Sequence, residues 1–360
     1  PSFRRPEDWF RTAGYRPTQV VGPVQRFQCR ICGKGFSSRT FDIDYWTHRT
    51  LDYTLITNLL VGGSGLRQSS RTLGVSTQLL ANRHSRLARQ ALAVHCELCE
   101  EWKLREPLVL DGFQSFAHSQ YYPNNINLLV GAQSQFVVGM NATVLRRSGQ
   151  MTEAQKRKRE RLETVYRAPH DGVFRSSRQL LELGCDLALA SGHLPIEIRS
   201  DEKREYQRAL TSLKPYGDWK EVGLVVHQTV SSKRARTVQN PLFAVNYLDR
   251  QLRKDLADHV RETVRFARRL PQSLERVMVH LWHHNFFKTY RTRQPDPEVT
   301  HAETAGIERG RIQDLRRRSL RDRALGWRYR LDDWQRALWT RSISIPIHQT
   351  TALARHLLTA

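Results

Sequence analysis

The sequence predicts an α/β fold, and three acidic segments with their surrounding patterns lead to this prediction. Two short apolar runs of the β type, at 108–113 and 196–201, each carry an aspartate at the end of the apolar part, Asp111 and Asp201. A third aspartate, Asp249, lies near the start of a helical pattern. Strands that end in acids and are followed by a helix with another acid are typical of α/β proteins with a site at one sheet edge.

The order of the predicted elements narrows the fold class. Buried strands are predicted first, at 108–111, 126–130 and 136–140, followed by a helix at 180–191 and the strand before Asp201. A fifth strand follows at 223–230 and a long helix at 243–267. This is the element order of the ribonuclease H-like fold, which would place Asp111 and Asp201 on adjacent strands. We assign this core to residues 106–294, with a basic helical insertion at 146–170.

The three aspartates predict a metal-dependent site. Attack on a phosphodiester is most simply assisted by two divalent ions, Mg²⁺ or Mn²⁺, which carboxylates from different elements hold. Asp249 lies one helical turn after Asn246 and one before Arg253, so the three side chains share a helix face. A lone aspartate after a strand or on a helix is more often a solvated residue, but jointly Asp111, Asp201 and Asp249 predict a catalytic site. Reserve acids on the same helix are Asp255, Asp258 and Glu262.

Net charge favours a polyanionic partner. The chain has 58 lysines and arginines against 35 acidic residues, a formal charge of +23 in 360 residues. Such an excess favours nucleic acid over an acidic small molecule or a purely structural role. No apolar run reaches transmembrane length and no signal peptide pattern opens the chain, so we expect a soluble, cytoplasmic protein with no membrane partner.

The five cysteines indicate reduced, metal-binding thiols. Cys29 and Cys32 form a CxxC pair with Gly33 behind it, which predicts half of a zinc knuckle within residues 1–46. Zinc takes four ligands. We expect the others either in a segment preceding Pro1 or at Cys96 and Cys99, beside His95, although a separate structural role for that second pair is at least as probable; His48 is a weaker candidate.

Residues 47–105 predict a helix-turn-helix module. An apolar-faced helix at 55–60 is followed by a turn with glycine, and Ser76 is the predicted N-cap of a second helix. The second helix would enter the major groove of double-stranded DNA. The alternative is a small helical hairpin that does not bind DNA. We favour DNA binding because the segment follows a predicted zinc knuckle. The predicted DNA-contacting residues are Arg67, Gln68, Arg71, Thr77, Arg83 and Arg86, and Arg89 continues the series.

Two basic segments leave their roles open. The insertion around 156–161 predicts a charged helix that holds DNA or is simply solvated. Residues 295–360 interleave arginines with Trp327, Tyr329, Trp334 and Trp339. That pattern suits DNA backbone contact with stacking, but it equally suits packing or a subunit interface.

With these motifs in place, most of the chain resembles DDE insertion-sequence transposases, in particular the group around the Insertion Sequence One family. The most specific stretches are RSDEKREY at 199–206, SSKRARTVQNPL at 231–242 and HNFFKTYR at 284–291, whereas the knuckle at 25–37 and the helix-turn-helix at 65–76 are generic. In that family the third acid is usually a glutamate followed three positions later by asparagine. Here Asn246 precedes Asp249.

The resemblance implies a DNA transposase that binds its element's terminal inverted repeats and carries out metal-dependent strand cleavage and strand transfer. It implies a homodimer or larger assembly, because two ends must be processed, and a prokaryotic, nucleoid-associated location. His227 would contact the scissile phosphate, with a buried strand histidine as the alternative. Other implied DNA contacts are Lys233, Arg253, Lys254, Arg261, Arg265 and Arg268.

Two rival functions stay open. One is a catalytically inactive or domesticated DNA-binding regulator derived from a transposase. The order of Asn246 and Asp249 supports this alternative, because it is the reverse of the family's usual order of acid and asparagine. The other is a ribonuclease H-like repair or recombination nuclease, which would cut without preference for one inverted repeat.

Overall fold

A small antiparallel sheet opens the part of the chain that the computed structural model describes, namely residues 8–260, 265–291, 293, 296–343 and 345. Its strands, in the order β1-β2-β3, are β1 (Phe10–Thr18), β2 (Gly22–Cys29) and β3 (Gly35–Ser37). Rings from all three strands pack together, with Phe27 5.1 Å from Phe10 and 5.3 Å from Phe36 between centroids. This aromatic cluster takes the place of a larger apolar core.

Three helices follow, where the helix-turn-helix pattern predicts two, and the additional one is the short middle helix. They are α1 (Tyr53–Val61), α2 (Leu66–Thr72) and α3 (Thr77–Glu101). The Ser76 hydroxyl accepts a hydrogen bond from the Leu79 amide at 3.2 Å, so its predicted role as N-cap is confirmed. Gly74 turns the chain between α2 and α3 with a φ of +60°, a conformation that glycine adopts without strain.

The central sheet has five strands in the order β6-β5-β4-β7-β8. Its members are β4 (Leu108–Phe116), β5 (Pro123–Gly131), β6 (Val137–Val144), β7 (Ile196–Asp201) and β8 (Val225–Val230). β4, β5 and β6 form an antiparallel meander, whereas β7 and β8 run parallel to β4. All five predicted strands are present. β4 lies at the centre of the sheet, where its apolar first half is fully buried.

Two helices, α5 (Gly172–Ser191) and α8 (Phe243–Asp255), pack on opposite faces of this sheet. The other helices of this region are α4 (Glu153–Glu163), α6 (Arg204–Ser212) and α7 (Tyr216–Glu221). A Cβ added at Gly184 of α5 would lie 3.0 Å from Leu108 and 3.3 Å from Leu129, so α5 packs closely on β4 and β5. On the other face, Arg253 of α8 lies over the ring of Phe113 from β4.

The last described helices pack against α3 rather than forming a separate tail. They are α9 (Leu270–Phe286), α10 (His301–Thr304), α11 (Arg309–Arg321) and α12 (Asp333–Thr340). Arg318 of α11 forms an ion pair with Glu97 of α3 at 2.7 Å, and Trp102 donates to the Ala305 carbonyl at 2.9 Å. Trp339 is buried, whereas Trp327 is exposed. Most of the predicted 295–360 region that is described therefore serves packing.

The predicted α/β class is confirmed, and one predicted element is wrong. The helix expected at 243–267 ends at Asp255, where Leu256 adopts an extended conformation and is buried. The predicted charged helix of the insertion is present as α4, and all its residues are exposed or half-buried. No helix within the described residues is both long and apolar enough to cross a membrane.

Candidate active site

Asp111 and Asp201 lie side by side on neighbouring strands. β4 and β7 pair in parallel with Leu108 opposite Ile198 and Leu110 opposite Ser200, so the two aspartates occupy the next equivalent position. Equivalent positions on parallel strands point to the same face and are about 4.8 Å apart between backbones. The predicted adjacency of these two acids is thus present at one edge of the paired region.

Asp249 approaches the same face from helix α8. Side chains alternate along a strand, so Asp111 shares its face with Phe113, two residues on. The guanidinium of Arg253 lies 4.5 Å from the Phe113 ring centroid and donates to the Gln114 carbonyl at 3.4 Å. Asp249 lies one turn before Arg253 and faces the same strand. The helix therefore adds a third carboxylate to the two on the sheet.

The three carboxylates affect one another electrostatically. Burial, followed by repulsion from Asp201, raises the pKa of Asp111 to about 6. Burial, followed by repulsion from Asp111, raises the pKa of Asp249 to about 8. Carboxylates that repel each other in a desolvated site favour protons or cations between them.

Three cations surround these acids, and sequence reasoning assigned a role to only one. Lys203, Arg236 and Arg253 each lower the pKa of Asp249, and the first two also lower that of Asp111. Lys203 additionally donates its backbone N–H to Asp201 Oδ1 at 3.0 Å. Arg236 is exposed, whereas Lys203 and Arg253 are half-buried. A cluster of acids and bases of this kind is suited to a phosphate diester, whose oxygens need cationic partners on several sides.

Tyr206 is a further member of the site that the sequence did not reveal. It is fully buried on α6, and Lys203 Nζ donates to its hydroxyl at 3.2 Å. A Cβ added at Gly112 would lie 2.9 Å from this hydroxyl, so only glycine fits beside it without displacement. Burial and the charges of Asp111, Asp201 and Asp249 raise the pKa of Tyr206 well above its usual value. The hydroxyl is therefore a neutral hydrogen-bonding group beside the acids.

The fit to divalent ions rests on the carboxylate oxygens. Within the described residues, Asp249 Oδ1 is buried without a hydrogen-bond partner. Such an atom carries a desolvation cost that a cation would remove. In the same described ranges, no group of three or more His, Cys, Asp or Glu side chains is arranged so that it could hold a metal ion. The acids share one electrostatic environment but do not form a ready-made coordination shell.

The reserve acids are engaged elsewhere. Asp255 accepts from His280 at 3.0 Å, and Asp258 forms an ion pair with Arg276 at 2.9 Å. Asp258 lies beyond the end of α8, so its predicted place on that helix is wrong. Glu262 and Arg261 lie outside the described residues.

His227 lies on the opposite sheet face from the aspartates. His227 of β8 is paired with Ile198 of β7, and Ile198 is paired with Leu108 of β4. Paired residues point to the same face of the sheet, and Leu108 faces α5, so His227 lies on the α5 face. Its Nε2 lies 2.9 Å from Ser200 Oγ, and burial lowers its pKa. These contacts favour the alternative of a packed strand histidine.

Four other basic residues that the resemblance implies as DNA contacts are exposed, namely Lys233, Lys254, Arg265 and Arg268.

The helix-turn-helix presents some of its predicted DNA contacts to solvent. Exposed residues at this surface are Arg67, Gln68, Arg71 and Thr77, together with Gln78 and Asn82 further along α3. Arg83 and Arg86 were expected to point outward, and that orientation is wrong. Arg83 is buried beside Asp44 at 3.6 Å, and Arg86 donates to the Ile43 and Tyr45 carbonyls, both at 2.7 Å. Residues 42–49 cover this part of the helix.

The predicted zinc ligands lie in two separate places. Cys29 and Cys32 flank the turn between β2 and β3, where the Cys29 amide donates to the Lys34 carbonyl at 2.9 Å. Backbone donors at Cys32 and Ile31 lower the Cys29 pKa, which favours a thiolate. Cys96 and Cys99 lie on α3 within the core, where burial raises the Cys99 pKa to about 12. The second pair therefore does not complete the first. His48 is exposed.

Comparisons with known proteins add no family assignment. No protein-family model matches this chain. No curated protein matches it either.

Proposed function

We propose that this protein is a DDE-type DNA transposase with a ribonuclease H-like core, which binds the ends of its element and cleaves and joins DNA strands. The observation that carries the proposal is the placement of Asp111 and Asp201 at equivalent positions of adjacent parallel strands, with Asp249 facing them from α8. The strand order β6-β5-β4-β7-β8, with only the first three strands antiparallel, supports the same core.

Asp111, Asp201 and Asp249 would hold two Mg²⁺ or Mn²⁺ ions. When bound, such ions stabilise the attacking and leaving oxygens of an in-line phosphoryl transfer. Asp111 and Asp249, whose pKa values are raised, must be ionised to do this, and the carboxylates must turn toward one another because they do not yet form a coordination shell. Binding of the ions therefore includes a local rearrangement of side chains.

The surrounding residues would position the DNA strand. Lys203 and Arg236 flank the acids, and Lys233 lies in the same exposed segment before α8, so their cations are available to phosphate oxygens. Arg253 is held over Phe113 and orients one side of the site. The Tyr206 hydroxyl offers a neutral hydrogen bond beside Asp111 without adding charge.

Recognition of the element's ends would fall to the helix-turn-helix. The exposed N-terminal turn of α3 and the polar residues of α2 form a surface with Arg67, Gln68 and Arg71. In this motif the first residues of the second helix contact base edges. The knuckle at Cys29 and Cys32 would bind zinc with ligands that the described residues do not supply.

The test is cleavage and strand transfer on labelled DNA that carries the element's own end, with Mg²⁺ or Mn²⁺. We expect Asp111→Asn, Asp201→Asn and Asp249→Asn each to abolish product while leaving DNA affinity within about twofold. Asp218→Asn, which removes an exposed carboxylate from α7, is the matched control and should stay active.

The second candidate is a DNA-binding regulator without catalysis. This candidate is favoured by one observation: among the described residues, no three His, Cys, Asp or Glu side chains are arranged so that they could hold a metal ion. It predicts a wild-type protein that binds the DNA end but never cuts it at any Mn²⁺ concentration, and that result would replace the transposase proposal.

A further inference from the structure

A small cleft on the side of helix α3 is lined by three arginines. Arg86 and Arg89 reach it from α3, Arg323 from the segment after α11, and Tyr45 forms its floor. The cleft is shallow and opens to solvent. We call it the arginine cleft.

The arginine cleft concentrates positive charge around one aromatic ring. The Arg86 guanidinium lies 4.2 Å and that of Arg323 3.5 Å from the Tyr45 ring centroid. Tyr45 is 4% exposed, so these contacts are largely shielded from water. Cation–π contacts compensate only part of the cost of burying a guanidinium. Arginine keeps its proton at neutral pH, so the cleft stays cationic.

Arg89 is the least compensated of the three. Its residue is 8% exposed, and within the described residues its Nη1 is buried without a hydrogen-bond partner. The carboxylates of Asp44 and Glu275 face this region, but both have other partners. Asp44 lies beside Arg83 at 3.6 Å, and Glu275 is bound at both oxygens by Arg341, at 2.5 and 2.7 Å.

A buried guanidinium whose Nη1 has no hydrogen-bond partner, next to two other guanidinium groups, is suited to an acceptor with several oxygens. Desolvated charges without a partner cost several kcal/mol in proteins. Guanidinium forks match the spacing of phosphate oxygens. We propose that the arginine cleft binds an oxyanion of the phosphate type, with Arg89 as its innermost ligand and Arg86 and Arg323 at its sides.

Two sources of that oxyanion are compatible with this chemistry: a backbone phosphate of bound DNA, or free phosphate. A DNA source is supported by the helix itself. Gln78, Asn82, Arg86 and Arg89 follow the spacing i, i+4, i+8 and i+11, which places them on one face of α3. The first two are exposed at the helix-turn-helix surface, so the same face leads from that surface into the cleft.

The experiment is thermal unfolding of the full chain in sodium phosphate against sodium chloride at equal ionic strength. Phosphate at about one hundred times its Kd should raise the wild-type Tm by about 3 °C. Arg89→Met should remove this rise, and in chloride alone its Tm should be equal to or above that of the wild type, because an uncompensated charge is gone. Arg175→Met, which removes an exposed arginine from α5, should keep the full rise.

A second variant guards against misfolding. Arg323→Met removes a guanidinium from the mouth of the cleft and should weaken the phosphate response at least fivefold in apparent Kd. A phosphate response that survives in both variants would mean that an adventitious ion binds elsewhere, and it would overturn the proposal. The proposal would also be overturned if the wild type showed no phosphate response and Arg89→Met had no effect on DNA binding.

DNA binding at increasing salt separates the two sources. If a DNA phosphate occupies the cleft, Arg89→Met lowers the slope of log K against log salt by about 0.9, the value for one phosphate contact. An unchanged slope with a lost phosphate response assigns the cleft to free oxyanion. The phosphate arm uses no cleavage assay, so its outcome is independent of the proposed transposase activity.

Discussion

Neutralising Asp249 should stabilise the protein while destroying its proposed activity. Its pKa is raised from 3.8 to about 8, chiefly because the carboxylate is buried. Between those pH values the unfolded chain has an ionised Asp249 whereas the folded chain keeps the proton. The folded state therefore binds more protons, and its stability falls as pH rises through this window.

The magnitude follows from the pKa difference. A shift of about 4 units at about 1.36 kcal/mol per unit gives roughly 6 kcal/mol at pH 8, and about 4 kcal/mol at pH 7. Coupling to Asp111 and hydration of the site reduce this value, so we expect Asp249→Asn to gain at least about 2 kcal/mol at pH 7.5. At pH 3, below both pKa values, the variant and the wild type should be nearly equal, because the wild-type carboxyl is then mostly neutral in both states.

The assay is urea unfolding of both proteins at pH 4.5, 6, 7 and 8, without divalent ions. The difference in free energy of unfolding should grow steadily with pH. Asp218→Asn, at an exposed position, should differ from the wild type by no more than about 0.5 kcal/mol at any pH. A variant that is equally or less stable than the wild type across pH 6–8 would refute the reasoning, since Asp249 would then not be a desolvated acid.

Four further predictions concern other parts of the chain. Arg71→Ala should weaken DNA binding and lower the salt slope by about 0.9. Arg83→Ala should cost about 3 kcal/mol of stability in urea unfolding, because it removes the cation beside buried Asp44 and leaves that carboxylate with the Tyr53 hydroxyl as its side-chain donor. Cys29→Ser should abolish zinc retention, measured by metal analysis after dialysis; retention of a full equivalent would contradict the knuckle. Burial lowers the pKa of His301 to about 4, so its imidazole stays neutral in the folded chain while the unfolded chain gains a proton. His301 therefore contributes a loss of stability of about 1.4 kcal/mol per pH unit as pH falls from 6.5 to 4, and His301→Asn should remove that contribution from the slope measured by urea unfolding.

Periodicity and strand-ending acids were sufficient to predict much of the fold. The five strands of the sheet have strong signals because apolar β-type runs there are bounded by polar turns. Helix α3 was predicted from its start, since Ser76 caps the first turn. Both signals are local, so they are readable without knowledge of the tertiary structure.

The errors came from tertiary effects. Helix α8 stops at Asp255 although the leucine spacing continues, because Leu256 turns into the core and Asp258 pairs with Arg276 of the next helix. Arg83 and Arg86 follow a DNA-facing pattern on α3, yet residues 42–49 fold over them. Nothing in the sequence near these residues indicates which segment will cover them.

Part of the candidate site was equally hidden. Lys203 and Tyr206 come from the helix after β7, and Arg236 comes from an exposed segment before α8. They meet Asp111 only because β4 and β7 are neighbours in the sheet. The signal that would have found Tyr206 is its position five residues after Asp201. A helix that begins at Arg204 brings the Tyr206 side chain back toward the end of the strand.

The central claim is that Asp111, Asp201 and Asp249 act together on divalent ions. Calorimetric titration with Mn²⁺ at pH 8.5, above the pKa of Asp249, tests it most directly. The wild type should bind Mn²⁺, and each of the three Asp→Asn variants should weaken binding at least tenfold, whereas Asp255→Asn, at an acid bonded to His280, should not. Equal Mn²⁺ affinity in the wild type and in all three variants, or no binding by the wild type, would contradict the account.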